Sequence, residues 1–232
     1  MTRREPSVAI DGPAGAGKST VSRLVAEKLG YVLLDTGAIY RSVALAAKEA
    51  GISWDDSERV SELAHAIAER KGITFRVVDG APRIFLDEKD VSAQIRVHDI
   101  AQGASKVSAI PAVRDALLDV QRAAAAGGGV VLEGRDIGTV VLPDAEAKFF
   151  LTASVDVRAK RRHDELSANG AAPTLAEVLA DVRERDHRDS TRAVAPLRQA
   201  EDAELVDSSG LSIEEVVSRI VDRVRAIRAS AK

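Results

Sequence analysis

The stretch SVAIDGPAGAGKST, residues 7–20, decides the fold of this chain. Residues 7–11 form a short apolar run that is typical of a buried strand. The next eight residues, 12–19, match the pattern GxxxxGK[ST], and apolar residues at helical spacing follow. Small residues let the backbone curl around an anion, and a helix N-terminus attracts negative charge. The stretch therefore predicts a strand, a phosphate-binding loop and a helix, with its chemistry carried by Lys18 and Ser19.

We call residues 12–20 the P-loop. Lys18 is long enough to reach the β- and γ-phosphates of a nucleoside triphosphate, and the Ser19 hydroxyl suits Mg²⁺. The alternative is a glycine-rich turn that merely contains a lysine, but such a turn needs no preceding strand or following helix. The P-loop therefore predicts a nucleoside triphosphate site, although it does not by itself name the reaction.

The segments after the P-loop alternate between helix and strand. A helix is predicted from residue 21 until Gly30 ends it, a second buried strand at 31–35, and another helix at 38–50. This alternation is typical of an α/β protein with a parallel sheet and helices on both faces. Further helices are predicted at 57–71, 97–108, 111–127 and 213–229, and further strands at 129–134, 147–153 and 203–209.

One region interrupts the alternation. ITFRVVD at 73–79 and RIFLD at 83–87 flank the turn DGAP and predict a β-hairpin. We therefore treat residues 63–96 as an insertion in one domain, and the charged, helical segment 156–192 as a separate element of it. The predicted single domain, 1–232, then has a core made of residues 5–62, 97–155 and 198–230.

Composition excludes several classes of protein. The 232 residues are 45% hydrophobic, which argues against a disordered chain. Cys is absent, which excludes disulfides, thiolate metal sites and a cysteine nucleophile. The 33 basic and 36 acidic residues leave a net charge of −3, which argues against a general nucleic-acid binder. No apolar run approaches the ~18 residues of a membrane span, so we expect a cytoplasmic protein with no membrane partner.

Arginines cluster after predicted strands and in the charged segment. Arg41 follows one strand, and Glu133, Arg135 and Asp136 lie at the end of another. Ligands of open parallel sheets bind beyond the carboxyl ends of the strands, so we expect these residues and the P-loop to share one edge. An active site that joins a triphosphate to a second phosphate must neutralise two polyanions.

Two arginine groups within the charged segment leave two interpretations open. Arg185, Asp189 and Arg192 stand at i, i+4 and i+7, on one helical face. RAKRR at 158–162 brings three further arginines together, namely Arg158, Arg161 and Arg162. Because acidic residues are interleaved, the spacing alone fits a solvated, salt-bridged helix as well as an anion site.

Several of these stretches together resemble one family. GPAGAGKST, LLDTGAIYR, LDEKDVSAQIR, LEGRDIGTVV and RERDHRDSTRAVAPL, in this order and spacing, resemble bacterial-type cytidylate kinase over roughly residues 5–225. The resemblance implies a P-loop kinase fold with a five-stranded parallel sheet, a monophosphate-binding insertion at 63–96 with a small antiparallel β region, and a helical lid at 156–192. It also implies phosphorylation of CMP and dCMP by ATP with Mg²⁺.

The same resemblance implies roles for individual residues. ATP would be held by the P-loop and one lid arginine, namely Gly12, Pro13, Ala14, Gly15, Ala16, Gly17, Lys18, Ser19, Thr20 and Arg161. The acceptor would be held by Thr36, Arg41, Ser105, Arg114, Arg135, Asp136, Arg185, Asp189 and Arg192. Among these, Ser105, Arg114 and Asp136 would read cytosine, and Lys18, Arg135, Arg185 and Arg192 would stabilise the transferred group. Ser19 would ligate Mg²⁺, with Glu133 as a further candidate.

Two kinds of alternative stay open at this point. A kinase for another small acceptor, such as UMP, AMP or shikimate, would share the P-loop and differ at Ser105, Arg114 and Asp136. A non-catalytic nucleotide-binding regulator would bind ATP without needing a second set of arginines. Nothing in the sequence demands more than a monomer.

Overall fold

The computed structural model describes residues 5–79, 81–168, 170 and 173–230. In chain order the strands are β1 Val8–Asp11, β2 Val32–Asp35, β3 Ile73–Val78, β4 Ala81–Leu86, β5 Lys89–Asp90, β6 Val130–Gly134, β7 Ala147–Thr152 and β8 Glu204–Asp207. The α-helices are α1 Lys18–Leu29, α2 Thr36–Glu49, α3 Ser57–Glu69, α4 His98–Val107, α5 Pro111–Ala125, α6 Val155–Ala168, α7 Leu175–Thr191 and α8 Ile213–Ser230. Short 3-10 and π-helical turns occupy Gln94–Arg96 and Ile137–Val141.

A five-stranded parallel sheet of order β2-β6-β1-β7-β8 confirms the predicted α/β fold. β1 lies in the centre and pairs in parallel with β6 and β7. All four residues of β1 are buried, which accounts for its apolar sequence. Val32 of β2 is 54% exposed, so the prediction of a buried strand at 31–35 is wrong there. The reason is that β2 lies at the edge of the sheet, where only one long side of a strand is paired.

The chain divides into two compact units. Met1–Leu33 and Gly127–Lys232 form the first, which we call the P-loop unit, and Leu34–Ala126 forms the second, which we call the middle unit. The core of the P-loop unit includes Phe149 of β7 and the apolar stripe of α8, which contains Val217 and Ile220. α6 and α7 pack on each other through Ala159 and Val182, among others. The boundaries 63–96 for the insertion and 156–192 for the lid stay predictions.

The middle unit contains the antiparallel sheet β3-β4-β5. β3 and β4 form the predicted hairpin, with Ile73 opposite Leu86, and the two-residue strand β5 adds to it. Gly80 of the predicted turn lies outside the described residues. The core of this unit joins α2, α3, α4 and α5, with Ile39, Ile67 and Leu117 fully buried.

Local signals set several helix ends. Gly30 adopts φ +70° after α1, as predicted for the residue that ends this helix. Thr174 and Glu177 form the predicted capping box at the start of α7. α7 ends at Thr191, however, and Arg192 is extended with ψ 142°. The prediction that Arg185, Asp189 and Arg192 all belong to one helical face is therefore wrong for Arg192.

Candidate active site

Packing against the rest of the P-loop unit determines the conformation of the P-loop. A Cβ atom on Gly12 would collide with the carbonyl oxygen of Leu151 in β7, so only glycine fits there. Gly15 adopts φ +76°, and a Cβ atom at this position would lie 3.0 Å from the carbonyl oxygen of Arg158 in α6. The P-loop backbone thus approaches β7 and α6 as closely as glycine allows.

Lys18 lies at the start of α1 and is only 7% exposed. Its Nζ donates a hydrogen bond to the carbonyl oxygen of Pro13 at 2.8 Å. Burial lowers the pKa of Lys18 well below its usual range, and the positive charge of Arg135 acts in the same direction. A buried ammonium group beside another cation is stabilised by an incoming anion. The P-loop is therefore suited to phosphate oxygens.

Ser19 and Glu133 bring two oxygen ligands together at the same point. The Ser19 hydroxyl donates to Oε2 of Glu133 at 3.0 Å. Glu133 lies in β6, is buried, and is paired in register with Ile10 of β1. Among the described residues no group of three or more His, Cys, Asp or Glu side chains is arranged to hold a metal ion. A hard cation here would therefore take its remaining ligands from phosphate and water, as Mg²⁺ does.

The turn after β6 carries an arginine that is paired with α7. Arg135 Nε donates to Oδ2 of Asp189 at 2.8 Å, and the Asp189 side chain is 6% exposed. Burial alone raises the pKa of Asp189, but the charges of Arg135 and Arg185 outweigh it and hold that pKa below its usual range. Asp189 is therefore ionised at neutral pH, and its direct partner is Arg135.

A second ion pair links the same turn to the residue after α7. Arg192 Nη2 donates to Oδ1 of Asp136 at 3.2 Å, and both side chains are almost fully buried. Arg192 Nε also donates to the carbonyl oxygen of Ala195 at 2.6 Å. Since Asp11 of β1 and Gly134 of β6 are aligned, the P-loop and this turn leave the sheet at the same edge, as predicted. The P-loop unit thus brings together Lys18, Arg135, Asp136, Arg185, Asp189 and Arg192.

The three arginines at the start of α6 have different surroundings. Arg161 donates to the hydroxyl and the carbonyl oxygen of Ser208, at 3.0 and 2.8 Å, and Ser208 also contacts Ala16 of the P-loop. Arg162 forms an exposed pair with Glu165. Arg158 is 4% exposed, so the solvated helix that the spacing allowed does not describe it. The predicted ATP ligand Arg161 therefore lies beside the P-loop.

The middle unit holds Thr36 and Arg41 at the beginning of α2. Asp35 caps this helix by accepting from the backbone N–H of Ala38 at 3.1 Å. The same carboxylate accepts from Arg41 Nη2 at 2.5 Å. Arg41 Nε is buried and has no hydrogen-bond partner among the described residues, so the guanidinium retains donor capacity. Thr36 is buried at the first position of the helix.

Ser105 and Arg114 share a neighbour in the middle unit. Arg114 Nη1 donates to the carbonyl oxygen of Ser108 at 3.2 Å, and the Ser108 hydroxyl donates to the carbonyl oxygen of Ser105 at 3.1 Å. The Arg114 guanidinium also lies over the Tyr40 ring, 5.4 Å from its centroid. Ser105 and Arg114 are both buried.

Asp11 was not among the residues selected from the sequence. It ends β1, is buried, and accepts from the backbone N–H groups of Ile137 and Gly138 at 2.8 Å each. It therefore holds the turn that follows Arg135 and Asp136. Its position at the carboxyl end of the central strand could have singled it out.

Asp11→Asn is expected to change how stability depends on pH. Burial raises the pKa of Asp11 from 3.8 to about 6, against the two N–H groups that lower it. Because the folded state holds this proton more tightly than the unfolded state, its contribution to stability falls as pH rises from about 4 to about 6. The loss is about 3 kcal/mol, and it persists at higher pH.

Denaturant unfolding of the wild type and of Asp11→Asn between pH 4 and pH 7.5 measures this effect. The wild type should lose stability relative to the variant as pH rises. Asp207→Asn, at the end of the edge strand β8, is the control. A hydrogen bond from Ser209 lowers the pKa of Asp207, so the wild type should not lose stability relative to this variant as pH rises. A stability difference between wild type and Asp11→Asn that does not change with pH would contradict the prediction.

The family model described as cytidylate kinase matches residues 8–226. The chain belongs to the cytidylate kinase family. It is therefore a nucleoside monophosphate kinase with the P-loop kinase fold, and ATP is its co-substrate. The motifs that carried the resemblance in the sequence all fall within the matched residues.

Curated relatives agree with the family over nearly the whole chain. A cytidylate kinase of Pelotomaculum thermopropionicum is 49% identical and covers 96% of this chain and 97% of its own. A cytidylate kinase of Geobacter sp. (strain M21) is 52% identical over 90% of this chain and 88% of its own. A solved structure, an uncharacterized protein from Eubacterium ventriosum, aligns with TM-score 0.54 and 13% identity over 97% of this chain and 99% of its own, which supports the fold alone.

No helix in the part of the chain that the structure describes is long and apolar enough to cross a membrane.

Proposed function

We propose that the chain transfers the γ-phosphoryl group of ATP to CMP and dCMP and releases ADP with CDP or dCDP. The observation that carries this proposal is the shared sheet edge at which Lys18 follows β1 and the Arg135–Asp189 pair follows β6. One edge then offers cationic groups to two phosphate-bearing ligands. The 8–226 match to the cytidylate kinase family supports CMP as an acceptor.

ATP would be held through its phosphates by the P-loop. Backbone N–H groups of residues 12–20 and the buried ammonium of Lys18 suit the phosphate oxygens. Arg161, which contacts Ser208 beside Ala16, would bind ATP from α6. No covalent chemistry is required of these groups, since alignment and charge neutralisation supply the catalysis.

The donor set fits Mg²⁺. Ser19 would ligate it, and Glu133, which accepts from Ser19, would hold it directly or through water. When bound, Mg²⁺ would neutralise part of the phosphate charge.

The acceptor phosphate is proposed to bind arginines of the stretches LLDTGAIYR and LEGRDIGTVV, each of which contains the end of a strand. Arg41 and Arg135 are proposed to hold it, with Thr36 nearby in the sequence and Arg185 and Arg192 supplying further charge. Asp189 would accept a hydrogen bond from the sugar while it positions Arg135. An oxygen of the acceptor phosphate attacks the γ-phosphorus as the bond to the ADP oxygen breaks. No general base is needed, because the acceptor phosphate is already anionic.

Base recognition is assigned to Ser105, Arg114 and Asp136. Cytosine presents an amino donor at N4 and acceptors at N3 and O2. Asp136 can accept from N4, and Arg114 and Ser105 can donate to N3 and O2. Uracil reverses the polarity at two of these positions, and each buried mismatch costs ~1–3 kcal/mol. The three residues therefore favour CMP over UMP.

The setting proposed for this reaction is the cytoplasm, with the chain acting as a monomer on small molecules. CMP, dCMP and ATP are the proposed partners, and neither nucleic acid nor a membrane is among them. The net charge of −3 supports this choice over a nucleic-acid partner.

An ADP-release assay with a panel of acceptors tests the function. CMP and dCMP should give turnover well above UMP, AMP and shikimate. Turnover highest with another acceptor would favour the rival kinase. ATP binding without turnover on any of them would favour a regulator.

Asp136→Asn is expected to narrow the ratio of kcat/KM for CMP to that for UMP, mainly through lost CMP activity. The new amide can donate to O4 of uracil but no longer offers cytosine N4 a charged acceptor. The variant also weakens the pair with Arg192, so KM for ATP is measured alongside.

Asp144→Asn is the matched control, because Asp144 is exposed in the same connection between β6 and β7. This variant should retain the wild-type ratio. Competition between CMP and UMP that shows an unchanged ratio in Asp136→Asn would place base reading elsewhere.

A further inference from the structure

Arg158 makes three contacts within the P-loop unit. Its Nε donates to the carbonyl oxygen of Ala153 at 2.9 Å, and its Nη1 donates to the carbonyl oxygen of Ala14 at 3.1 Å. Its Nη2 lies 2.7 Å from Oδ2 of Asp186 in α7. All three guanidinium nitrogens are thus engaged by the protein, and the side chain is 4% exposed. Arg158 is placed to hold protein groups in position.

The contact with Ala14 bears on the phosphate-binding backbone. In a planar trans peptide the C=O and the next N–H point in opposite directions. Anchoring the Ala14 carbonyl on Arg158 therefore turns the N–H of Gly15 away from α6. The neighbouring carbonyl of Pro13 is held by Lys18. Two successive peptides of the P-loop are thus oriented by cationic side chains.

The contact with Asp186 ties this arrangement to α7. Oδ2 of Asp186 meets Arg158, and Oδ1 is buried without a hydrogen-bond partner among the described residues. Arg158 is therefore the principal partner of this carboxylate. α7 also carries Asp189, which pairs with Arg135 on the acceptor side. Helix α7 thus contacts both Arg158, which holds the P-loop carbonyl of Ala14, and Arg135, which lies in the turn after β6.

We propose that Arg158 is a positioning residue for ATP, which orients the Ala14–Gly15 peptide of the P-loop and is itself held in place by Asp186 of the lid helix α7. This inference rests on the proposed binding of ATP phosphates by the P-loop. Loss of the guanidinium frees the peptide to rotate, so fewer N–H groups meet the phosphates at once.

The test compares Arg158→Met, Arg158→Lys, Asp186→Asn and the double variant Arg158→Met/Asp186→Asn with the wild type. Binding of a non-hydrolysable ATP analogue and of CMP is measured separately, together with kcat and both KM values. Lys160→Met is the matched control, because Lys160 lies on the same helix in an exposed pair with Asp164. Thermal unfolding of each variant monitors the fold.

Arg158→Met should weaken binding of the ATP analogue by roughly 10- to 100-fold while CMP binding changes little. Arg158→Lys should recover part of this loss, since an ammonium can still donate to one acceptor. Asp186→Asn should weaken ATP binding to a smaller degree, and its effect should shrink in the Arg158→Met background because the two residues act together.

ATP affinity in Arg158→Met equal to that of the wild type would overturn the inference. So would equal losses for ATP and CMP that track a lower Tm, since these indicate a merely structural role. If Arg158→Met fails to fold, Asp186→Asn decides, and unchanged ATP affinity in that variant overturns the inference. Absence of ATP binding by the wild type would instead overturn the proposed function.

Discussion

Lys18→Ala is expected to lower kcat by roughly 10²- to 10³-fold, about 3–4 kcal/mol by analogy with the deletion of an oxyanion donor. Lys18 is buried beside the P-loop carbonyl of Pro13, and burial together with the positive charge of Arg135 lowers its pKa. Its positive charge is therefore expected to stabilise the transition state, in which the γ-phosphoryl group passes from ADP to the acceptor. CMP binding should stay nearly unchanged, because the acceptor is assigned to other residues.

Steady-state kinetics with separate measurement of CMP binding checks this result. Lys28→Ala is the matched control, since Lys28 lies on the same helix at its exposed last turn. It should retain wild-type kcat. A near-normal kcat in Lys18→Ala would remove the P-loop from the chemistry.

Asp189→Ala should lower kcat/KM for CMP and for dCMP by roughly 100-fold or more, with a higher KM and a lower kcat. The substitution leaves the partly buried guanidinium of Arg135 without its carboxylate, so its positive charge is no longer compensated by that partner. It also removes the acceptor proposed for the sugar hydroxyl. Both effects misplace the acceptor phosphate relative to ATP.

Asp181→Ala provides the control on the same helix, because Asp181 is exposed. Asp189→Asn separates the two effects, because its amide oxygen still accepts from Arg135 while its NH2 group cannot accept from the sugar hydroxyl. It should fall between the wild type and Asp189→Ala. Kinetics of Asp189→Ala that match the wild type on both substrates would remove Asp189 from the site.

Local patterns predicted most of the secondary structure. About twenty consecutive residues contain the apolar run of β1, the glycines of the P-loop and the apolar spacing of α1. Gly30 and the Thr174–Glu177 capping box likewise act on their own neighbours. Such signals depend on backbone preference and periodicity, which the sequence shows directly.

The errors arose where a pattern was extended past its local range. Helical spacing placed Arg192 on the same face as Asp189, whereas α7 ends at Thr191 and Arg192 is held by Asp136 and by the carbonyl of Ala195. β2 is apolar like a central strand, yet it lies at the edge of the sheet. For Arg192 the contact with the distant residue Asp136 lies outside any local pattern, and for β2 the position in the sheet decides how much of the strand is buried.

The sequence by itself determined the α/β class, the P-loop and the family, because these depend on short motifs in a set order. The site residues that the resemblance implies remain predictions. Only the tertiary structure showed the ion pairs of Arg135 with Asp189 and of Arg158 with Asp186. Only the tertiary structure showed that Asp11 accepts hydrogen bonds from the backbone N–H groups of Ile137 and Gly138. These partners lie far apart in the chain. The pairing of these charged side chains depends on how the fold places α7 beside the edge of the sheet. No local sequence signal encodes this pairing.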